Sequence, residues 1–94
     1  MLYLVSYDLN RPIQNYPQLD KVLKTLGGKR ILETVWLVPS NFGPVDFHNS
    51  IKTPGGLDKN DRLFTGELHN SAAWDNLLID DTTVRQMFST NARP

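Results

Sequence analysis

The strongest constraint in this sequence is an apolar run at its start, residues 2–9 (LYLVSYDL). Leu, Val and Tyr dominate the run, and the breaker sequence Asn-Arg-Pro stops it, which is how a β-strand ends. Apolar side chains occupy both of its alternating faces for most of its length. A strand with this pattern is typical of the centre of a sheet that is covered on both sides.

Four further segments alternate between helical and strand patterns. Residues 16–26 carry apolar side chains at steps of three and four and end at a Gly-Gly pair, which predicts a helix. Residues 30–38 predict one long strand or two strands with a kink, residues 45–52 a short helix, and residues 61–69 a strand. The order βαββαβ predicts an α+β protein of the ferredoxin-like type, with an antiparallel sheet, helices on one face and a C-terminal extension.

The second face of this sheet needs a cover of its own. A chain of 94 residues forms one modest core, and we predict a ferredoxin-like domain over residues 1–78 followed by a C-terminal tail over residues 79–94. The helices of such a fold cover one face, whereas the strands are apolar on both. We therefore predict a homodimer, in which the apolar tail from Trp74 to Phe88 packs on the partner subunit or along a sheet edge.

Composition excludes several classes of function. The chain has no cysteine, which excludes disulfides, thiolate metal sites and cysteine nucleophiles. No apolar run approaches the ~20 residues of a membrane-spanning helix, and the N-terminus lacks the pattern of a signal peptide, so we expect a cytoplasmic protein with no membrane partner. The formal net charge is zero, so RNA or DNA must be held by a local patch or by a metal.

A carboxylate ends the first strand, and this is the main candidate for chemistry. Metal-dependent phosphodiester cleavage needs hard oxygen ligands on rigid backbone, and Asp8 meets that requirement for Mg²⁺. The last core strand runs antiparallel beside the first, so its first residue, Asp61, is predicted to lie near the strand end that carries Asp8. Asp61 is therefore a second candidate metal ligand, and Asp58 lies on the same rim. A two-fold axis that pairs the Asp8 side chains of two copies is the other route to two carboxylates. The alternative is a turn-forming aspartate with no ligand.

The few concentrated cations suggest where a phosphate backbone binds. Arg11 follows the first strand, and Lys29 and Arg30 follow the Gly-Gly pair in the sequence LGGKR. We predict that these three residues contact nucleic acid, although a Gly-Gly pair after a helix is first of all a helix stop. His48 and His69 have no metal-ligand spacing and are interpreted as surface or capping residues.

These motifs together resemble a known family. A first strand ending in YDL, a helix closed by LGGKR, a strand ILETVWLV and a late NDRLF strand are similar to the Cas-two family of CRISPR-associated proteins, over residues 1–78. The resemblance implies a ferredoxin-like homodimer with Asp8 as the metal-binding residue, and it matches Thr34, Val35 and Trp36 to the second family motif. It implies magnesium-dependent cleavage of RNA or DNA in some members and an adaptor role without nuclease activity in others.

Three departures separate the chain from family members of CRISPR loci. The segment after the first strand has one arginine, Leu37 stands where a glutamate is common, and the second helix is short and followed by TPGG. These differences favour the stand-alone SinR-like and VapD-type relatives. Two functions stay open: a magnesium-dependent endonuclease (an endoribonuclease in the case of RNA), or a non-catalytic dimeric module that binds nucleic acid or acts as a protein adaptor.

Overall fold

A computed structural model describes residues 1–9 and 12–94 of the chain. Its elements are β1 (Leu2–Asp8), α1 (Pro12–Thr25), β2 (Lys29–Leu32), β3 (Val35–Pro39), α2 (Pro44–Lys52), β4 (Arg62–Leu68) and α3 (Asp81–Asn91). In this described part of the chain, no helix is both long enough and apolar enough to cross a membrane.

The four strands form one sheet in the order β2-β3-β1-β4, with antiparallel neighbours throughout. Helix α1 connects β1 to β2 past the intervening β3, and α2 connects β3 to β4 past β1. These two interleaved split βαβ units confirm the predicted ferredoxin-like α+β fold. Strand β1 lies inside the sheet, as its two apolar faces predict.

The structure defines three elements in more detail than the sequence does. The segment over residues 30–38 is a hairpin of two strands, with a turn at Glu33 and Thr34. Helix α1 begins at Pro12, because proline is well tolerated at the first helical position. Residues 74–79 form no helix, and Asn76 among them has a positive φ of 54°.

The first core lies between the sheet and the pair α1 and α2. Tyr3 and Phe47 stack within it, with ring centroids 4.3 Å apart, and both side chains are fully enclosed. The buried members of this core are Tyr3, Val5, Tyr7, Leu9, Leu19, Leu23, Trp36, Val38, Phe47 and Ile51. The two predicted helices therefore share one face of the sheet.

A second core lies on the opposite face, beneath α3 and residues 74–79. Its buried members are Leu2, Ile31, Leu37, Val84, Met87 and Phe88. The Trp74 ring stacks on that of Phe88 at 5.8 Å between centroids. The tail thus packs on the sheet of its own chain, and its contact with a partner subunit stays a prediction.

The last residues of the chain lie along the end of β4, an edge strand. His69 and Arg93 form a parallel β-bridge, and the Arg93 guanidinium binds the Glu67 carboxylate in a bidentate manner, with Nε 2.6 Å from Oε2. The hydrogen bonds from Arg93 lower the pKa of Glu67. This contact covers part of the open edge that β4 presents.

Candidate functional site

Asp8 and Arg62 face each other at one end of the sheet. The register pairs the last residue of β1 with the first residue of β4, and Arg62 Nη1 lies 3.1 Å from Asp8 Oδ2. The Asp8 side chain is 69% exposed and that of Arg62 83%. Both charged groups are therefore accessible to a ligand. An ion pair this exposed also contributes little to stability.

Asp61 lies beside this pair, as the predicted topology requires, because it directly precedes Arg62. Its carboxylate Oδ2 accepts a hydrogen bond from the Asp58 amide at 3.1 Å, and the Asp58 carboxylate accepts one from the Asn60 amide at 2.8 Å. These bonds close the turn that leads into β4. The predicted carboxylates Asp8 and Asp61 therefore share one rim, and Asp61 also has a structural role there.

The donor set suits a magnesium ion only in part. Within residues 1–9 and 12–94, no group of three or more Asp, Glu or His side chains is placed to hold a metal. Magnesium commonly binds one or two carboxylates and fills its other positions with water and substrate phosphate oxygens. The exposed oxygens of Asp8, with Asp61 nearby, match that pattern, and further ligands must come from water, substrate or a second copy.

A shallow hollow of about 240 Å³ surrounds the Asp8 carboxylate. Its lining residues are Ser6, Tyr7, Asp8, Arg62, Leu63 and Phe64. The Phe64 ring lies over Gly66, where a Cβ would come within 3.0 Å of it, and Phe64 is 64% exposed. Sequence reasoning missed Arg62 and Phe64, although alternation along β4 places both on the face that carries Asp8.

Three polar side chains fix the end of β1 on the face of the sheet opposite Asp8. The Tyr7 hydroxyl donates a hydrogen bond to Asp20 Oδ1 at 2.8 Å and accepts one from Trp36 Nε1 at 3.0 Å. Tyr7 is 5% exposed, and burial raises its pKa to about 12. The bonds tie β1 to α1 and β3 one residue before Asp8, so they hold the carboxylate on rigid backbone.

The Tyr7→Phe variant is expected to be less stable by about 1–3 kcal/mol, because the buried Trp36 indole N–H loses its acceptor. Urea denaturation at pH 7 measures this difference. Wild-type stability should also fall as pH rises from about 10 to 12, since the unfolded tyrosine releases its proton near pH 10 and the folded one near 12. The variant should lack the part of this loss of stability that comes from Tyr7. Identical dependence of stability on pH in the wild type and the variant would contradict the raised pKa of Tyr7.

The predicted nucleic-acid contacts at the start of β2 lie apart from Asp8. Arg30 pairs with Trp36, which pairs with Val5, so Arg30 is two strands across and three residues along from Asp8. Strand geometry then separates the two Cα atoms by roughly 14 Å. Lys29 is the neighbour of Arg30, and Arg11 falls outside the described residues. The structure therefore does not gather Lys29 and Arg30 at the Asp8 hollow.

The two histidines also lie away from the Asp8 carboxylate. His48 Nδ1 is 2.9 Å from Thr65 Oγ1, and His69 Nδ1 is 3.0 Å from the Pro94 carbonyl oxygen. Each ring therefore has a partner within the fold, which agrees with an interpretation as surface or capping residues.

Comparison with known proteins adds no family to this geometry. No protein-family model matches the chain, and searches of curated proteins and of solved structures find no similar protein. The resemblance to the Cas-two family thus stays a prediction from sequence motifs.

Proposed function

We propose that this chain is a homodimeric, magnesium-dependent endonuclease acting on RNA or DNA, similar to the SinR-like and VapD-type relatives of the Cas-two family. One observation carries the proposal: the Asp8 carboxylate stands exposed at the end of a rigid central strand, 3.1 Å from an exposed guanidinium. In metal-dependent phosphodiester cleavage a carboxylate can bind the metal, and a guanidinium beside it can bind the phosphate.

Each charged group has a distinct role in this proposal. Asp8, with Asp61 nearby, would hold a magnesium ion, which would supply Lewis acidity for the phosphate and lower the pKa of a bound water. Arg62 binds a non-bridging phosphate oxygen, for which the planar guanidinium is well suited. Because the Arg62 side chain is 83% exposed, it has room to turn from Asp8 to a substrate phosphate.

The open half of the second sheet face supports the homodimer. Helix α3 covers the half around Leu2. The row Phe64-Ser6-Val35-Leu32 crosses all four strands at the border of that half, and Val35 still packs against the second core. Phe64 is 64% exposed and Leu32 46%. Asp8 lies in the next row of the same face, so a second copy seated on this half would bring the two Asp8 carboxylates towards each other.

Sedimentation velocity at micromolar concentration is expected to show a dimer, since an obligate interface of this kind buries on the order of 2,000 Å² or more. The Phe64→Asp variant places a charge in the proposed interface and should sediment as a monomer. Phe42→Asp is the matched control, because Phe42 is also exposed, at 56%, but lies in the loop before α2. A monomeric wild type would contradict the proposed interface.

The activity is tested with purified wild-type protein on single- and double-stranded RNA and DNA, with Mg²⁺ or with EDTA. We expect cleavage products only with Mg²⁺. The substrate that is cut identifies the nucleic acid.

A non-catalytic module is the second candidate, and two observations favour it. Arg62 already neutralises Asp8 within one chain, and the described residues contain no group of three metal-ligating side chains. In that case the wild-type protein binds nucleic acid or a partner protein but cuts none of the four substrates. The same cleavage assay therefore separates the two candidates.

A further inference from the structure

A second hollow, of about 500 Å³, lies between the end of α1, the start of β2 and the tail. It is lined by Lys24, Gly27, Gly28, Lys29, Arg30, Trp36, Leu78 and Ile79. The hollow is separate from that of Asp8, since the two share no lining residue.

Three cations line this hollow without a carboxylate partner. Among the described side chains, no carboxylate oxygen lies within 4 Å of the charged nitrogens of Lys24, Lys29 or Arg30. The carbonyl end of α1 contributes about half a negative charge nearby, which one lysine in the last helical turn already offsets. Three positive charges exceed that half charge, so the hollow as a whole attracts an anion.

Apolar side chains, among them Leu78 and Ile79, form one side of the hollow. The Leu78 amide donates a hydrogen bond to the Ile31 carbonyl at 2.9 Å, which fixes the tail beside the edge strand β2 and leaves the Leu78 side chain 64% exposed. On another side, the Arg30 guanidinium carbon lies 5.7 Å from the Trp36 ring centroid. A ligand that suits this site combines an anionic group with a less polar body.

Two glycines, Gly27 and Gly28, lie at the base of the hollow, where the backbone packs closely against the end of α1. Gly27 has a positive φ of 84°, which favours glycine, and a Cβ on Gly28 would come within 2.7 Å of the Leu23 carbonyl oxygen. Their amides donate to the Lys24 and Leu23 carbonyls and so complete the end of α1. The anion must therefore be held by cationic side chains rather than by these amides. Lys24 and Arg30 are the main candidates, because Lys29 pairs with Leu37 and its side chain is on the opposite face of the sheet from that of Arg30.

We propose that this hollow binds the phosphate monoester of a nucleotide, either free or at the end of a nucleic-acid strand. The monoester carries about −1.5 to −2 charges at pH 7, whereas an internal phosphodiester carries one, so a hollow lined by several cations favours the terminal group. The ribose and base pack against Leu78. If the site recognises the end of a nucleic-acid strand, the inference rests on the proposed function. The binding of a phosphate monoester by itself rests only on the cations that have no carboxylate partner.

The test is fluorescence anisotropy of short labelled single-stranded oligonucleotides in EDTA. Three forms are compared: a 5′-phosphate, a 3′-phosphate, and hydroxyl groups at both ends. We expect one phosphorylated form to bind about tenfold more tightly than the hydroxyl form, as a charge-assisted contact predicts. Competition with adenosine monophosphate distinguishes the sources: displacement indicates a free nucleotide, and binding without displacement indicates a strand end.

Charge-removing variants locate the effect. Lys24→Gln and Arg30→Gln should each abolish most of the preference for the phosphate and reduce the salt dependence of binding by about 0.7 per cation on a log-log plot. Lys21→Gln is the matched control, since Lys21 is exposed on α1 but does not line the hollow. Equal affinity for phosphorylated and hydroxyl ends, or an equal loss in the control, would overturn the proposal.

This outcome is independent of cleavage. Asp8→Asn should keep the phosphate preference, because Asp8 does not line this hollow. A wild-type protein that binds the phosphorylated end but cuts nothing contradicts the nuclease proposal alone, and one that cuts without this preference contradicts the present inference alone.

Discussion

The Asp8→Asn variant is expected to lose magnesium-dependent cleavage entirely while remaining a folded dimer. Asparagine has nearly the same size as aspartate but lacks the negative charge that a magnesium ion requires. Cleavage is measured on the substrate that the wild-type protein cuts, with sedimentation in parallel. Removal of the ion pair with Arg62 should cost about 1 kcal/mol or less, since both side chains are largely exposed.

Two further variants make this result specific. Asp46→Asn also removes an exposed carboxylate, but from the first turn of α2, which follows the opposite end of the sheet, and it should cleave normally. Arg62→Gln should bind substrate more weakly while still responding to magnesium. Equal cleavage by the wild type and Asp8→Asn would show that the activity comes from another site or from a contaminant.

The Phe88→Ala variant is expected to lose about 3–5 kcal/mol of folding stability, the usual cost of removing a buried aromatic side chain. Phe88 is 7% exposed, stacks on Trp74 and closes the second core over Leu2 and Leu37. Domains of this size have about 5–15 kcal/mol in total, so the loss is a large share. Urea denaturation at a fixed protein concentration measures it, because the proposed dimer would make stability depend on concentration.

Phe42→Ala is the matched control for this effect. Its side chain is 56% exposed, so the same chemical change should alter stability by about 0.5 kcal/mol or less. A chain truncated after Leu68 removes the whole cover and should aggregate, since it exposes the second face of the sheet. Unchanged melting of Phe88→Ala and of the truncated chain would mean that the tail does not belong to the core.

The local sequence pattern was sufficient to predict β1, α1, α2 and β4 and to place Asp8 at a strand end. Alternation of side chains along a strand depends only on neighbouring residues, so the two apolar faces of β1 and the carboxylate at its end are readable directly. The order of elements then restricts the topology, which brings Asp61 to the same rim.

What the local pattern leaves open is which residues meet across the sheet and what covers each face. The register that sets Arg62 opposite Asp8 depends on hydrogen bonds between distant strands, and the same apolar residues of the tail can pack on their own sheet or on a second copy. The hollow around Lys24, Arg30 and Leu78 likewise joins three segments that are remote in sequence. Apolar periodicity indicates that one face of an element is buried. Only the tertiary structure decides which segment covers that face, because the hydrophobic effect is non-directional and does not select a partner.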